Sequence, residues 1–212
     1  MPLEPPPRSR RVRALRLRAV LAAGVVLGSG AGMTLASWTD VEYGTGSFTG
    51  SVFATESSVG GSAYAANATA PGATATISGA FAPGVSAYLP VLIRTTAASV
   101  AGTVTLNGAT LGGTDAATLG VALVYRVVRT TATCAASAFS GTPVFVVGSA
   151  GTTRPLTAGQ ETGVVNPLAA ATAGAPGSPT GFCFEVTLPT GAANSLQHKS
   201  ASATWQFTAV SG

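Results

Sequence analysis

Apolar residues are distributed along this chain in two ways. Between Ala19 and Ala36 they run on without a single charge, interrupted by Gly24, Gly28, Gly30 and Gly32 and by the small polar residues Ser29 and Thr34. From Ser37 onward they come in short bursts that alternate with polar residues, the period of a half-buried strand. Phe48, Val52 and Ala54 share one face of an extended segment, with Thr49 and Ser51 on the other. Residues 60–72 read as a loop, 73–78 as a short strand, and Phe81-Ala-Pro-Gly84 as a turn, since Pro83 fixes φ and Gly84 accepts a positive one. Tyr88 to Thr95 follows as a strand, with Pro90 marking an edge or an irregular start. Ser99 to Leu106 places Val100, Gly102, Val104 and Leu106 opposite Thr103 and Thr105. The longest apolar strand is Val121 to Thr130; both its faces are partly apolar, which predicts a central position. Pro143 to Val147 is another strand, and residues 169–181 form a loop. Two clean half-buried strands close the chain: Phe182, Phe184, Val186 and Leu188, then Ala203, Trp205, Phe207 and Ala209. With no convincing helix after Ala36, the pattern predicts a β-sandwich or barrel.

The uncharged run lies directly behind six arginines (Arg8, Arg10, Arg11, Arg13, Arg16, Arg18) and ends in the small residues Thr34-Leu35-Ala36. A basic start, an apolar middle and a small-residue end are the parts of an export signal, and cleavage is expected between Ala36 and Ser37. The expected organisation is a signal peptide helix over 1–36 and one domain over 37–212. A permanent membrane anchor is the competing reading, since the run is near the lower limit for a span, but its glycines weaken it as a helix. An arginine arm for nucleic acid is the other, and the apolar run behind the arginines opposes it.

Removing the leader changes the charge balance. The whole chain carries a formal net charge of +4, but its first 36 residues hold six arginines against Glu4 alone. The remaining 176 residues hold five cations against six acids, a net of −1. Nothing then favours nucleic acid or an anionic membrane surface, and contact with a membrane is expected only through the uncleaved leader. Eleven charges in 176 residues is far below the roughly one quarter of an ordinary domain. So few charges leave strand edges poorly protected against pairing with other chains.

Cys134 and Cys183 are the only cysteines. An exported even pair predicts one disulfide, closing a loop of about 50 residues and contributing roughly 4 kcal/mol in the chain-entropy model. No catalytic, metal or cofactor site is predicted. The single histidine, His198, sits beside Lys199 in a polar turn, and no HExxH, GxSxG, P-loop or EF-hand pattern occurs. The remaining catalytic option is a carboxylate pair assembled by folding from Glu56, Asp115, Glu161 and Glu185. Leu188-Pro-Thr-Gly191 lacks a residue of the sortase signal, and Asn67-Ala-Thr69 is a weak glycosylation sequon.

Three stretches together resemble the TasA/camelysin family of exported biofilm-fibre proteins, in its actinobacterial branch with SipW-dependent-type signal peptides. They are the junction TLASWTD (34–40) followed by GSFTGSV (46–52), the segment Phe81 to Leu106 around its Pro-Gly turn, and the closing NSLQHKSASATWQFTA (194–209). The strand after the family's Pro-Gly turn carries an Asn-x-Gly near its end, and Thr95-Thr-Ala-Ala departs from that asparagine; His198 stands where the family carries glycine. The resemblance implies an all-β, jelly-roll-like sandwich. It also implies export through the Sec translocon, processing by a SipW-type signal peptidase and secretion to the extracellular space or cell surface. Finally it implies self-assembly into a homopolymer, the N-terminal segment of one subunit completing the sheet of the next. Trp38, Tyr43 and Phe48 are then the candidate donor-strand anchors. The alternative is a monomeric secreted cell-surface binding or adhesion module using the loops at 60–72 and 169–181, and a hydrolase is the remaining reading.

Overall fold

The computed structural model describes residues 15–21, 47, 50–70, 72–73 and 81–212. The cleavage residues Ala36 and Ser37, the anchors Trp38, Tyr43 and Phe48, and most of the strand expected over 73–78 lie outside the described residues. The chain divides into two units, Met1–Phe48 and Thr49–Gly212. In the first, residues 15–21 are α-helical.

The second unit is all β, with eleven strands among its described residues in antiparallel pairings. One layer is built from β1 (Thr55–Val59), β2 (Ser86–Thr95), β9 (Thr180–Thr187), β5 (Val124–Arg129) and β6 (Val144–Val147), in that spatial order, with β7 (Arg154–Pro155) also on β5. The other layer holds β11 (Phe207–Ser211), β3 (Gly102–Leu106) and β8 (Asn166–Leu168), and the pair β10 (Ser202–Thr204) with β4 (Thr110–Gly112). Val91, Ile93, Tyr125, Val127 and Phe184 of the first layer share one core with Val104, Leu106 and Leu168 of the second. Aromatic rings join the layers: Phe182 lies 5.0 Å from Phe207, and Phe184 lies 5.0 Å from Trp205, centroid to centroid. The result is the expected β-sandwich.

Several elements differ from the sequence expectation. β5 begins at Val124 because residues 116–122 form a helical turn that leaves Val121 60% exposed. The longest strand is therefore β2, although β5 is central as expected, between β9 and β6. β9 is buried on both faces rather than one. Its outer face is covered by Phe139 of the helical turn Ala136–Phe139 and by the Cys134–Cys183 disulfide, whose Cα atoms are 5.2 Å apart. The closing strand is two strands, since β10 pairs with β4 and β11 with β3, the exchange of partner falling at Trp205-Gln206. Pro90 lies inside β2, beyond the last residue paired with β1, and its carbonyl accepts from Gly60 N–H at 2.9 Å. Its missing N–H thus faces a stretch where β1 has ended. The Pro83-Gly84 turn forms as read, with Gly84 at φ 84° and Val85 N–H donating to Ala82 O at 2.9 Å.

Candidate functional site: a strand edge beside an apolar cleft

The four carboxylates of the described sandwich do not come together; each faces its own cation. Arg94 Nε reaches Glu56 at 2.6 Å, Arg154 Nε reaches Glu161 at 2.7 Å, and Lys199 Nζ reaches Asp115 at 2.8 Å. Arg126 pairs with Glu185, whose second oxygen accepts from Tyr88 O–H at 3.0 Å. Burial, then this neighbouring carboxylate, raises the Tyr88 pKa. His198 is exposed in the turn that Asp115 ties down through Lys199 and the Ser200 N–H. The hydrogen bond from Lys199 is the main reason the Asp115 carboxyl lies below its usual range. Among the described residues no three His, Cys, Asp or Glu cluster to hold a metal. The sequon residue Asn67 spends its amide on Ser57, donating to Oγ at 2.8 Å.

The feature left over is the edge structure of the two sheets. An unpaired strand edge is a row of N–H and C=O groups that will pair with any extended chain, and folds normally blunt it. Three edges here are blunted. On β1 the chain folds back, so that Ser57 N–H and O exchange hydrogen bonds with Ala65 at 2.9 and 3.0 Å. At β6, Val146 O accepts from Glu161 N–H at 2.8 Å, while the Glu161 carboxylate takes the Gly148 N–H at 2.9 Å. On β8 the outward residue is Pro167, which has no N–H to offer, and its carbonyl accepts from Thr180 Oγ1.

The β10–β11 edge is different. Gln206 O accepts from Asn107 N–H and Gly212 N–H donates to Ala101 O, so residues 206, 208, 210 and 212 point their backbone groups at β3. Phe207 and Ala209 therefore point theirs away from it. No described residue pairs with those groups. Their side chains are half-buried against the core. Between this edge and β1 the two sheets stand apart, leaving a cleft of about 1220 Å³ lined by Phe53, Val59, Phe81, Val91, Trp205 and Phe207 among others. The Trp205 indole N–H is buried and has no acceptor at hydrogen-bonding geometry among the described residues, although the Tyr125 hydroxyl is near. Burial pushes that hydroxyl up to about 12.

Sequence reasoning found the alternation of Phe207 and Ala209 but not that their outward edge has no partner among the described residues. Alternation fixes which face is apolar and says nothing about which neighbour is missing. Only Pro167 carried a readable signal about its edge. The loop at 60–72 borders the cleft through residues 67–70 and 72. The loop at 169–181 is tied elsewhere, with Thr95 Oγ1 donating to Ala169 O at 2.7 Å. No family model matches the chain, and no curated protein matches it.

Proposed function

We propose that the protein is an exported structural subunit of an extracellular fibre, assembling by strand addition, with residues 37–48 of one copy completing the sandwich of the next. The observation that carries this reading is the asymmetry of the edges: on β1, β6 and β8 the outward groups are blunted, while those of Phe207 and Ala209 have no partner among the described residues and lie beside an apolar cleft. A strand laid there gains main-chain hydrogen bonds, each contributing about 0.5–1.5 kcal/mol net, and buries alternate side chains in the cleft. The disulfide suits an oxidising compartment. Among the described residues no helix is long and apolar enough to cross a membrane. Cleavage between Ala36 and Ser37 would free the donor segment from the membrane, so processing would license assembly.

The test compares the chain recovered from the medium with a variant lacking Ser37 to Phe48. N-terminal sequencing of the recovered full chain should begin at Ser37. In negative-stain micrographs the full chain should form filaments, and the deletion should give folded monomers by sedimentation. Filaments from the deletion, or a concentration-independent monomer from the processed full chain, would overturn the reading; the second result would favour a monomeric surface module.

A further inference from the structure

Independently of how copies meet, we infer that Asn107 is a self-modifying site. When β11 lifts from β3, the Asn107 carboxamide is lost through a succinimide, and the isoaspartate that forms loosens the start of β11. The chemistry, the packing of Gly108 and the hold of β11 lead there in turn.

The reacting pair is Asn107-Gly108, directly after β3. The main-chain nitrogen of Gly108 attacks Cγ of Asn107; the N–Cγ bond forms, the Cγ–Nδ2 bond breaks and ammonia leaves. Water then opens the five-membered imide at either carbonyl, giving aspartate or isoaspartate. The net change is one water taken up and one ammonia released, with no oxidant, reductant or cofactor. Glycine hinders this attack least, since it has no side chain beside its nitrogen. Of the four asparagines, Asn67 precedes Ala68, Asn194 precedes Ser195, and Asn166 precedes Pro167, whose nitrogen carries no hydrogen. Asn107 alone has the unhindered neighbour.

Packing explains why glycine stands there. A Cβ on Gly108 would lie 1.9 Å from Thr157 O, so any other residue would push that backbone away. The same side is bonded firmly, with Ala109 N–H donating to Leu156 O and Gln160 N–H to Leu106 O, both at 2.9 Å. The fold thus keeps a reactive pair that it cannot replace by a larger residue without moving the 156–160 segment.

β11 supplies the restraint. Asn107 Nδ2 donates to Thr208 Oγ1 at 2.8 Å, and Asn107 N–H donates to Gln206 O at 2.9 Å. Cγ cannot turn onto the Gly108 nitrogen while the carboxamide is held on Thr208. With the neighbours of the pair fixed on 156–160, the part free to move is β11, a strand of five residues. The two products then differ. Aspartate leaves the main chain unchanged and can accept from the Thr208 hydroxyl. Isoaspartate routes the main chain through Cγ, adding an atom between two anchored points, Asn107 N–H on Gln206 and Ala109 N–H on Leu156. It also removes the group that reached Thr208.

The test incubates the full chain at mildly alkaline pH, folded or in urea. Peptide mass spectrometry follows each asparagine, and fragment ions distinguish isoaspartate from aspartate. In the folded chain Asn107 should convert faster than the other three asparagines, and about tenfold or more slower than in urea. Thr208→Val removes the restraint and keeps a strand former; it should speed conversion of the folded chain about threefold or more and leave the rate in urea unchanged. The isoaspartyl form, separated by ion exchange, should show amide exchange at Thr208 about tenfold faster than the parent, whereas Asn107→Asp should stay within about threefold. Asn107 intact in the folded chain while the other asparagines convert would overturn the site. Equal rates folded and in urea, or no effect of Thr208→Val, would overturn its control by β11. An isoaspartyl form that exchanges like the parent would overturn the consequence for the strand.

Discussion

Ala98, Ala173 and His198 are described residues other than glycine that hold positive φ, at 67°, 50° and 61°. For an L-residue with a Cβ this conformation costs about 1–2 kcal/mol, a cost glycine avoids. Ala98 closes the β2–β3 connection, and His198 sits in the turn before β10. Ala98→Gly and His198→Gly should each stabilise the fold by roughly 0.5–1 kcal/mol, the relief of strain being partly offset by the greater freedom of glycine in the unfolded chain. Urea unfolding followed by tryptophan fluorescence measures this. Ala97→Gly serves as the control and should be neutral or destabilising. His198 thus acquires a backbone description, and the histidine side chain has no described partner that would give it a chemical one.

At the scale of elements, the edge of β6 depends on a single carboxylate. Glu161 takes Arg154 on both oxygens, at 2.7 and 3.1 Å, and the Gly148 N–H besides. Chiefly through Arg154, its pKa lies below the ordinary glutamate value of 4.5. A folded pKa below the unfolded one means the stabilisation is full above about pH 4.5 and is lost as the pH falls through the folded value. Amide exchange at Gly148 and Glu161, the two donors of this edge, should therefore accelerate, relative to the core of β9, on going from neutral pH to below 4. In Glu161→Gln that pH dependence should be largely absent. The same elements show how much could be read without a structure. Alternation located the core of β3, β5 and β9 because burial acts on single strands. It failed where the deciding partner is distant in sequence. Cys183 and Glu185 look solvent-facing until Cys134, Arg126 and Phe139 are folded over them. Trp205 and Phe207 look like one strand until β4 and β3 claim its two halves. Which edges are covered was illegible for the same reason, since it is a statement about neighbours from Ala65 to Thr180.

Across the whole molecule, the low charge has a consequence for how copies would meet. Of the five cations after Ser37, Arg94, Arg126, Arg154 and Lys199 are already paired within the sandwich. Arg129 donates to Val165 O at 2.6 Å. Little charge is left to steer association or to oppose it, and the proposed contact is main-chain hydrogen bonding plus apolar burial. Screening lengths shrink from about 10 Å at 0.1 M salt to about 3 Å at 1 M. An interface held by ion pairs would weaken across that range, whereas apolar burial is not screened. Assembly of the processed chain, followed by light scattering, should accordingly be unchanged or somewhat stronger at 1 M sodium chloride than at 0.1 M. About 2 M urea, which solvates both peptide and apolar groups, should slow it at concentrations where the monomer remains folded. Dissociation of filaments by salt alone would place the contact on charged residues, and the only charges left outside the sandwich's own ion pairs and Arg129 are Asp40 and Glu42. Salt therefore separates a contact made by main-chain pairing and apolar burial from one that docks by those acids.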